Sequence, residues 1–273
     1  MLSKEKYTFN QIRFTADVKN IDHFAILDRA FKLKMLDVDE TEKNILFNFI
    51  NSTKGKSKFI KSQLYQDVFA DFLIENNYDK TFLEFGATDG IDLSNTHFLE
   101  NYSKWKGVLG EPDPQWHQQL KKNRPDSKII TKCIWKKTGE TLDFLSSENG
   151  VLSTINSFRY SDKDSMSENS KLRNKKFKNF KIESISLNDL VRDEFNGTTP
   201  SYISVDTEGS EFEILRNFDF KKYQPIFFTV EHNYTSNQKS IDELMIANDY
   251  VRIFRKITSF DAWYVLKDAL ENK

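Results

Sequence analysis

The sequence predicts an α/β domain built on a mostly parallel sheet of seven strands, with helices on both faces and a last strand running antiparallel. Three observations predict it. From about residue 60 onward, short apolar runs of strand length alternate with helix-length amphipathic segments, the pattern of parallel strands buried between covering helices. The final two runs, YVRIFRK (250–256) and AWYVLK (262–267), are joined through TSFD with no room for a helix, so they must pair antiparallel. Glycines and acids recur where strands end, at the edge where open α/β sheets bind ligands.

Taken in order, residues 1–50 read as helical, because AILDRAFKLKMLDVDETEKNILFNFI keeps apolar side chains at helical spacing without Gly or Pro. NSTKGKSK (51–58) is polar and basic and reads as a linker. Residues 1–58 thus read as a helical extension, suited to dimerisation, to capping the site of the main domain or to tethering it to a partner, and 59–273 as the main domain. Ser62 is placed to cap a helix over QLYQDVFADFLIENN (63–77). Strands are expected at TFLEF (81–85), WKGVLG (105–110), SKIITKCIW (127–135), SYISVD (201–206) and PIFFTVE (225–231). Helices are expected at PQWHQQLKKN (114–123), EFEILRNF (211–218) and IDELMIAND (241–249). Residues 157–180 are polar and lack an apolar face; they read as an insertion, either a lid over a substrate or a solvated loop.

Composition narrows the function. The 273 residues carry 40 basic and 41 acidic side chains, nine glycines and one cysteine. One cysteine builds no disulfide scaffold, and near-neutral charge argues against a dominating nucleic-acid surface. The basic run KLRNKKFKNFK (171–181) reads as a solvated face or a patch for a substrate phosphate. No apolar stretch reaches the length of a membrane span, and the first residues show no secretory h-region. A cytoplasmic enzyme is the expectation.

Four local signals carry chemistry. FLEFGATDG (82–90) ends an apolar strand in Glu84 and turns through Gly86 to Gly90, without the three glycines of a dinucleotide fingerprint. Glu111 closes the next strand, where a carboxylate can accept both ribose hydroxyls of an adenosine ligand. ISVDTEGSEFEIL (203–215) crowds Asp206, Glu208 and Glu211 at a strand end, with Glu211 best read as complementing a helix N-terminus. FFTVEHN (227–233) ends in Glu231, His232 and Asn233. If these last two strands are parallel neighbours, their acids and His232 converge on one crevice. Such a crevice suits a hard cation such as Mg²⁺ bound by Asp206 and Glu231, or metal-free chemistry with His232 as general base. Cys133 reads as a small buried apolar residue, and Trp135 as packing, with stacking on an adenine ring as the rival.

In this order, SQLYQD, LEFGATDGIDLSNT, WKGVLGEPDP, ISLNDL, YISVDTEGSEFEILRNFDF and FFTVEHNYT resemble the FkbM family of S-adenosylmethionine (SAM)-dependent methyltransferases, over roughly residues 60–255. The resemblance implies the class I, Rossmann-like methyltransferase fold and O-methylation of a sugar or natural-product hydroxyl. It implies that Gln63, Gln66, Glu84, Gly86, Ala87, Asp89, Gly90, Ser94, Asn95, Glu111 and Asp206 hold or surround SAM. Asp206, Glu208, Glu231 and His232 would line the reacting crevice. Thr88 departs from the pattern, standing where many methyltransferases carry a second glycine. The expected acceptor is a nucleotide-sugar or surface-glycan building block. The alternatives are another natural product, a nucleic acid (without the Asn/Asp-Pro-Pro-aromatic run of base methylation), or a non-catalytic interaction domain on the same core.

Overall fold

A computed structural model describes residues 4–9, 12–17, 40–53, 56, 59–74, 78–148, 150–161 and 168–270. The strands are β1 (Lys4–Phe9), β2 (Ile12–Asp17), β3 (Thr81–Phe85), β4 (Lys106–Gly110), β5 (Lys128–Ile130), β6 (Cys133–Trp135), β7 (Thr141–Ser147), β8 (Thr154–Ile155), β9 (Phe177–Ser186), β10 (Tyr202–Val205), β11 (Phe227–Glu231), β12 (Tyr250–Ile253) and β13 (Asp261–Leu266). The helices are α1 (Glu40–Ser52), α2 (Gln66–Leu73), α3 (His97–Asn101), α4 (Pro114–Asn123), α5 (Glu168–Lys175), α6 (Leu187–Glu194), α7 (Glu211–Leu215), α8 (Asn237–Ala247) and α9 (Lys267–Leu270).

The main sheet has seven strands in the order β12–β13–β11–β10–β3–β4–β5. Strands β5, β4, β3, β10 and β11 pair parallel, and β13 runs antiparallel between β11 and β12. Successive residues of a strand point to opposite faces, so strands apolar at every position need cover on both sides. Phe82, Tyr202 and Phe227 enter one core with Phe69 and Trp263, while Leu83, Ile203 and Phe228 enter a second core with Leu190 and Ile214. Asp113 caps α4 by accepting from the Gln115 N–H, with Pro114 at the first helical position.

Four expectations are corrected. The run 127–135 is two strands in two sheets. β5 stays beside β4, whereas β6 crosses to a four-stranded sheet ordered β6–β9–β7–β8. Ile134 then lies over the edge of the main sheet, where a Cβ on Gly110 would stand 2.6 Å from its Cδ1. The polar insertion is not a plain loop, since its second half forms α5 and the start of β9, with Ser170 and Arg173 buried. Ser62 does not cap a helix; its hydroxyl donates to Asp67 Oδ1 at 2.6 Å, and α2 begins at Gln66.

The N-terminal helix holds only in part. Lys4–Phe9 and Ile12–Asp17 pair antiparallel, with Lys4 opposite Asp17; their aromatic and β-branched residues favour strands over the helical spacing seen further on. Residues 18–39, and 54, 55, 57 and 58 of the expected linker, lie outside the described residues. Helix α1 is present, but Ile45, Leu46, Phe49 and Ile50 join the first core and Phe49 meets Phe69 edge-on at 5.1 Å. This face of α1 is therefore packed inside the chain, while Phe47 is exposed. Among the described residues, no helix is long and apolar enough to cross a membrane.

Candidate active site

The carboxyl ends of β3, β4, β10 and β11 open onto a cavity of about 310 Å³. Its first half is built by the turn after β3. Glu84 is buried and accepts from the Asn95 N–H at 2.6 Å, from Ser94 Oγ at 3.0 Å and from Thr96 Oγ1. The fully buried Arg124 stands behind it, donating to Glu100 Oε2 at 2.6 Å, Thr96 Oγ1 at 3.0 Å, Ser94 Oγ at 3.1 Å and the Gly90 carbonyl at 3.2 Å. Burial pushes the Glu84 carboxyl up from its ordinary value, against Arg124 and the three donors. Glu84 thus fastens the loop back onto its strand while keeping one edge in the cavity.

Gly86 has φ +72°, and a Cβ there would stand 2.4 Å from the Asp206 carbonyl oxygen. Asp89 Oδ1 accepts from the Ile91 and Asp92 N–H groups at 2.8 and 2.9 Å, a side-chain turn that shapes the loop. Asp89, Gly90, Ala87 and Ser94 lie behind the cavity wall, whereas Gln63, Glu84, Gly86, Thr88, Asn95 and Glu111 line it. Gln66 also lies behind, accepting from the Leu64 N–H at 2.9 Å and donating to Asp261 at 3.0 Å. Thr88 takes φ +45°, and its N–H donates to Glu111 Oε2 at 2.8 Å. The other Glu111 oxygen accepts from the Asp113 N–H at 2.7 Å. Burial pushes the Glu111 carboxyl up to about 8.

The second half gathers the acids. Asp206, Glu208 and Glu231 offer oxygens within 4.8 Å of one another, because β10 and β11 are parallel neighbours in register, with Val205 opposite Val230. Burial drives Asp206 up to about 7, and Glu231 rises well above the carboxylate range through burial and the charge of Asp206. Two half-buried carboxyls this close resist ionising together, which favours a proton held between them. Glu208 differs, because the buried Arg173 of α5 donates to it at 2.6 Å. Glu211 accepts from the Thr207 and Gly209 N–H groups at 3.0 and 2.9 Å and braces the loop.

His232 does not join the acids. Adjacent strand residues face opposite ways, so with Glu231 turned into the cavity His232 turns out of it and is absent from the lining. Its Nδ1 accepts from the Tyr234 N–H at 3.0 Å, and its Nε2 lies 3.1 Å from Arg252 Nη2. Burial and the Arg252 charge lower its pKa to about 4. Trp135 likewise packs against Phe158 and is absent from the lining. Cys133 is buried but does reach the cavity, beside Ile134 and Phe144.

SAM fits this donor set. Asn95 Oδ1 is a buried acceptor lining the cavity with no hydrogen-bond partner, Glu111 retains lone pairs for a ribose diol, and Gly86 keeps the turn free of a side chain. A divalent cation fits poorly, because the third acid already has Arg173 as its cation and hard cations want several free oxygens. Arg173 escaped sequence reasoning because it sits in a polar, basic run without periodicity. Its only sequence signal was position, just before β9. Phe144, Ser153 and Phe260, also in the lining, carried no signal at all.

A sheet in this order, with a glycine turn after β3 and an acid after β4, defines the class I methyltransferases. The profile of the methyltransferase FkbM domain matches residues 84–263, and the chain belongs to that family. The family implies SAM as methyl donor. No curated protein sequence matches the chain. Similar solved structures include a Staphylococcus aureus protein assigned as a caffeoyl-CoA O-methyltransferase, with 12% identity, 88% of this chain and 98% of that one covered, and a TM-score of 0.43. A precorrin-6y C5,15-methyltransferase from Geobacter metallireducens shares 9% identity over 76% of this chain and 88% of its own, with a TM-score of 0.37. The METTL16 methyltransferase domain shares 8% identity over 89% and 90% of the two chains, with a TM-score of 0.42.

Proposed function

We propose that this methyltransferase transfers the SAM methyl group to a hydroxyl of a sugar, on a nucleotide-sugar or surface-glycan building block. Bound SAM supplies an electrophilic methyl carbon and a neutral thioether leaving group. Gln63 and Asn95 hold its amino-acid end, Glu111 its ribose hydroxyls, and Cys133, Ile134 and Phe144 flank its adenine. Gly86 lets the backbone approach, while Glu84, Ala87, Asp89, Gly90, Ser94 and Gln66 support that wall from behind.

The Asp206–Glu231 pair carries the reading: two carboxyls within 4.8 Å of each other at the cavity wall, each held above its ordinary range by burial, and Glu231 also by the charge of Asp206. A sugar hydroxyl is too weak an acid to ionise unaided near neutrality. The ionised partner, its basicity raised by burial, accepts the hydroxyl proton as the new C–O bond forms. Asn169, Ser153, Ser210 and Asn233 in the same lining offer neutral hydrogen-bonding groups suited to the remaining hydroxyls. His232 acts on this site by fixing the backbone after Glu231 and takes no proton.

The test is mass spectrometry of nucleotide-sugars and glycan acceptors after incubation with SAM, with and without EDTA. Gain of one methyl group on a hydroxyl, unaffected by EDTA, is expected, and Glu231→Gln should lower turnover about 10²–10⁴-fold while SAM still binds. Methylation only at nitrogen or carbon, or wild-type turnover by Glu231→Gln and Asp206→Asn, refutes it.

A further inference from the structure

The segment that reads as a solvated insertion sends one side chain onto Glu208 of the acid cluster. Helix α5 is polar but for Leu172, and Lys171, Leu172 and Lys175 are exposed, yet Arg173 on the same helix has no exposed surface. A guanidinium is buried only where fixed partners replace its water. Arg173 donates through Nε to the Leu152 carbonyl at 2.8 Å, through Nη1 to the Arg159 carbonyl at 3.3 Å and through Nη2 to Glu208 Oε2 at 2.6 Å.

Glu208 is held from its backbone as well. It sits at φ +58°, a left-handed conformation that a Glu keeps only when its surroundings enforce it. Its carbonyl accepts from Thr154 Oγ1 at 3.1 Å and Ser161 Oγ at 3.3 Å. A Cβ on the next residue, Gly209, would stand 2.0 Å from Ser161 Oγ. The 154–161 stretch therefore lies directly on this turn, and Arg173 fastens α5 to both.

We infer that Arg173 is the resident cation of the acid cluster: its guanidinium supplies the positive charge that a divalent ion would otherwise bring to Asp206, Glu208 and Glu231. One of the three carboxylates that would have to ligate an ion is thus already seated on a guanidinium, and it is held there from its backbone as well. A metal ion would have to take Glu208 from Arg173 or bind with only two of the three acids while facing that positive charge. Arg173 is a positioning residue, acting through Glu208. The inference stands on the acid cluster alone and does not depend on which acceptor is methylated.

The test is Mn²⁺ titration followed by electron paramagnetic resonance at about pH 8, where carboxyls compete least for protons. The proteins are full-length wild type, Glu208→Gln, Arg173→Gln and Arg173→Lys. Wild type should bind Mn²⁺ no more than about twofold tighter than Glu208→Gln, whereas Arg173→Gln should gain about tenfold or more. Arg173→Lys restores a point charge and should stay within about threefold of wild type. Wild-type binding about tenfold tighter than Glu208→Gln overturns the inference, as does a folded Arg173→Gln with no gain. If Arg173→Gln fails to fold, the wild-type comparison with Glu208→Gln still decides.

Discussion

Replacing Gly86 by alanine tests whether the ends of β3 and β10 meet as tightly as the cavity requires. Gly86 has φ +72°, and the added Cβ would lie 2.4 Å from the Asp206 carbonyl oxygen. That is about 1 Å inside ordinary contact, and the obstacle is backbone, which cannot rotate aside as a side chain can. The left-handed conformation costs alanine roughly 1–2 kcal/mol and the overlap roughly 1–3 kcal/mol more, so a loss of about 2–5 kcal/mol is expected. Gly139 separates the two contributions: its φ is +81°, but nothing lies within 4 Å of its Cβ position. Gly139→Ala therefore carries the conformational cost alone. Urea unfolding of both variants gives the difference, and calorimetry with SAM shows whether displacing Asp206 also loosens the cofactor site. Equal destabilisation by the two substitutions refutes the close approach.

Three other predictions follow from the charges. Burial holds the Asp261 carboxyl up at about 7. Its contribution to stability is full below the ordinary carboxylate range and lost as pH rises through about 7, so Asp261→Asn should flatten the fall in stability between about pH 4 and 7 by up to roughly 1.4 kcal/mol per pH unit; unchanged slopes in urea melts would exclude it. Glu111, up at about 8 without ligand, must ionise to accept a ribose diol, so SAM binding near neutrality should release a proton. Calorimetry in two buffers of different ionisation enthalpy reads that release, which should vanish in Glu111→Gln. His232→Ala should keep turnover within about tenfold of wild type, because both ring nitrogens face away from the cavity; a loss of about 10³-fold with SAM affinity intact would reinstate it as the base.

The sheet was legible because strands buried on both faces must be apolar throughout, and TFLEF, YISV and PIFFTVE declare themselves by that alone. The cofactor half was legible because its parts are close in sequence: Glu84 bonds Ser94, Asn95 and Thr96 within twelve residues. The second sheet was not. Paired residues of β6 and β9 lie 51 positions apart, as Cys133 and Ser184 do, and the start of β9 is exposed at Phe177, Lys178 and Asn179, which mimics a solvated loop. The placement of His232 outside the cavity lining was hidden for a related reason, since neighbours along an extended chain point opposite ways. Glu211 shows the opposite case, where a local role at a helix start could be read directly.

The two buried arginines divide the cavity's acids into those with a cation beside them and those without. Arg124 stands 2.6 Å from Glu100 and 3.9 Å from Glu84, which three further donors also hold. Arg173 serves Glu208. Glu111 has two backbone N–H groups in place of a cation. Among the described residues, no salt bridge reaches Asp206 or Glu231 within 4.0 Å, and Glu231 Oε2 is buried without a partner. Close, half-buried carboxyls without a cation hold protons more tightly than those that have one. The proton-accepting pair is thus defined by where the arginines are not, and moving a positive charge next to Asp206 should switch that pair off even with every other residue in place.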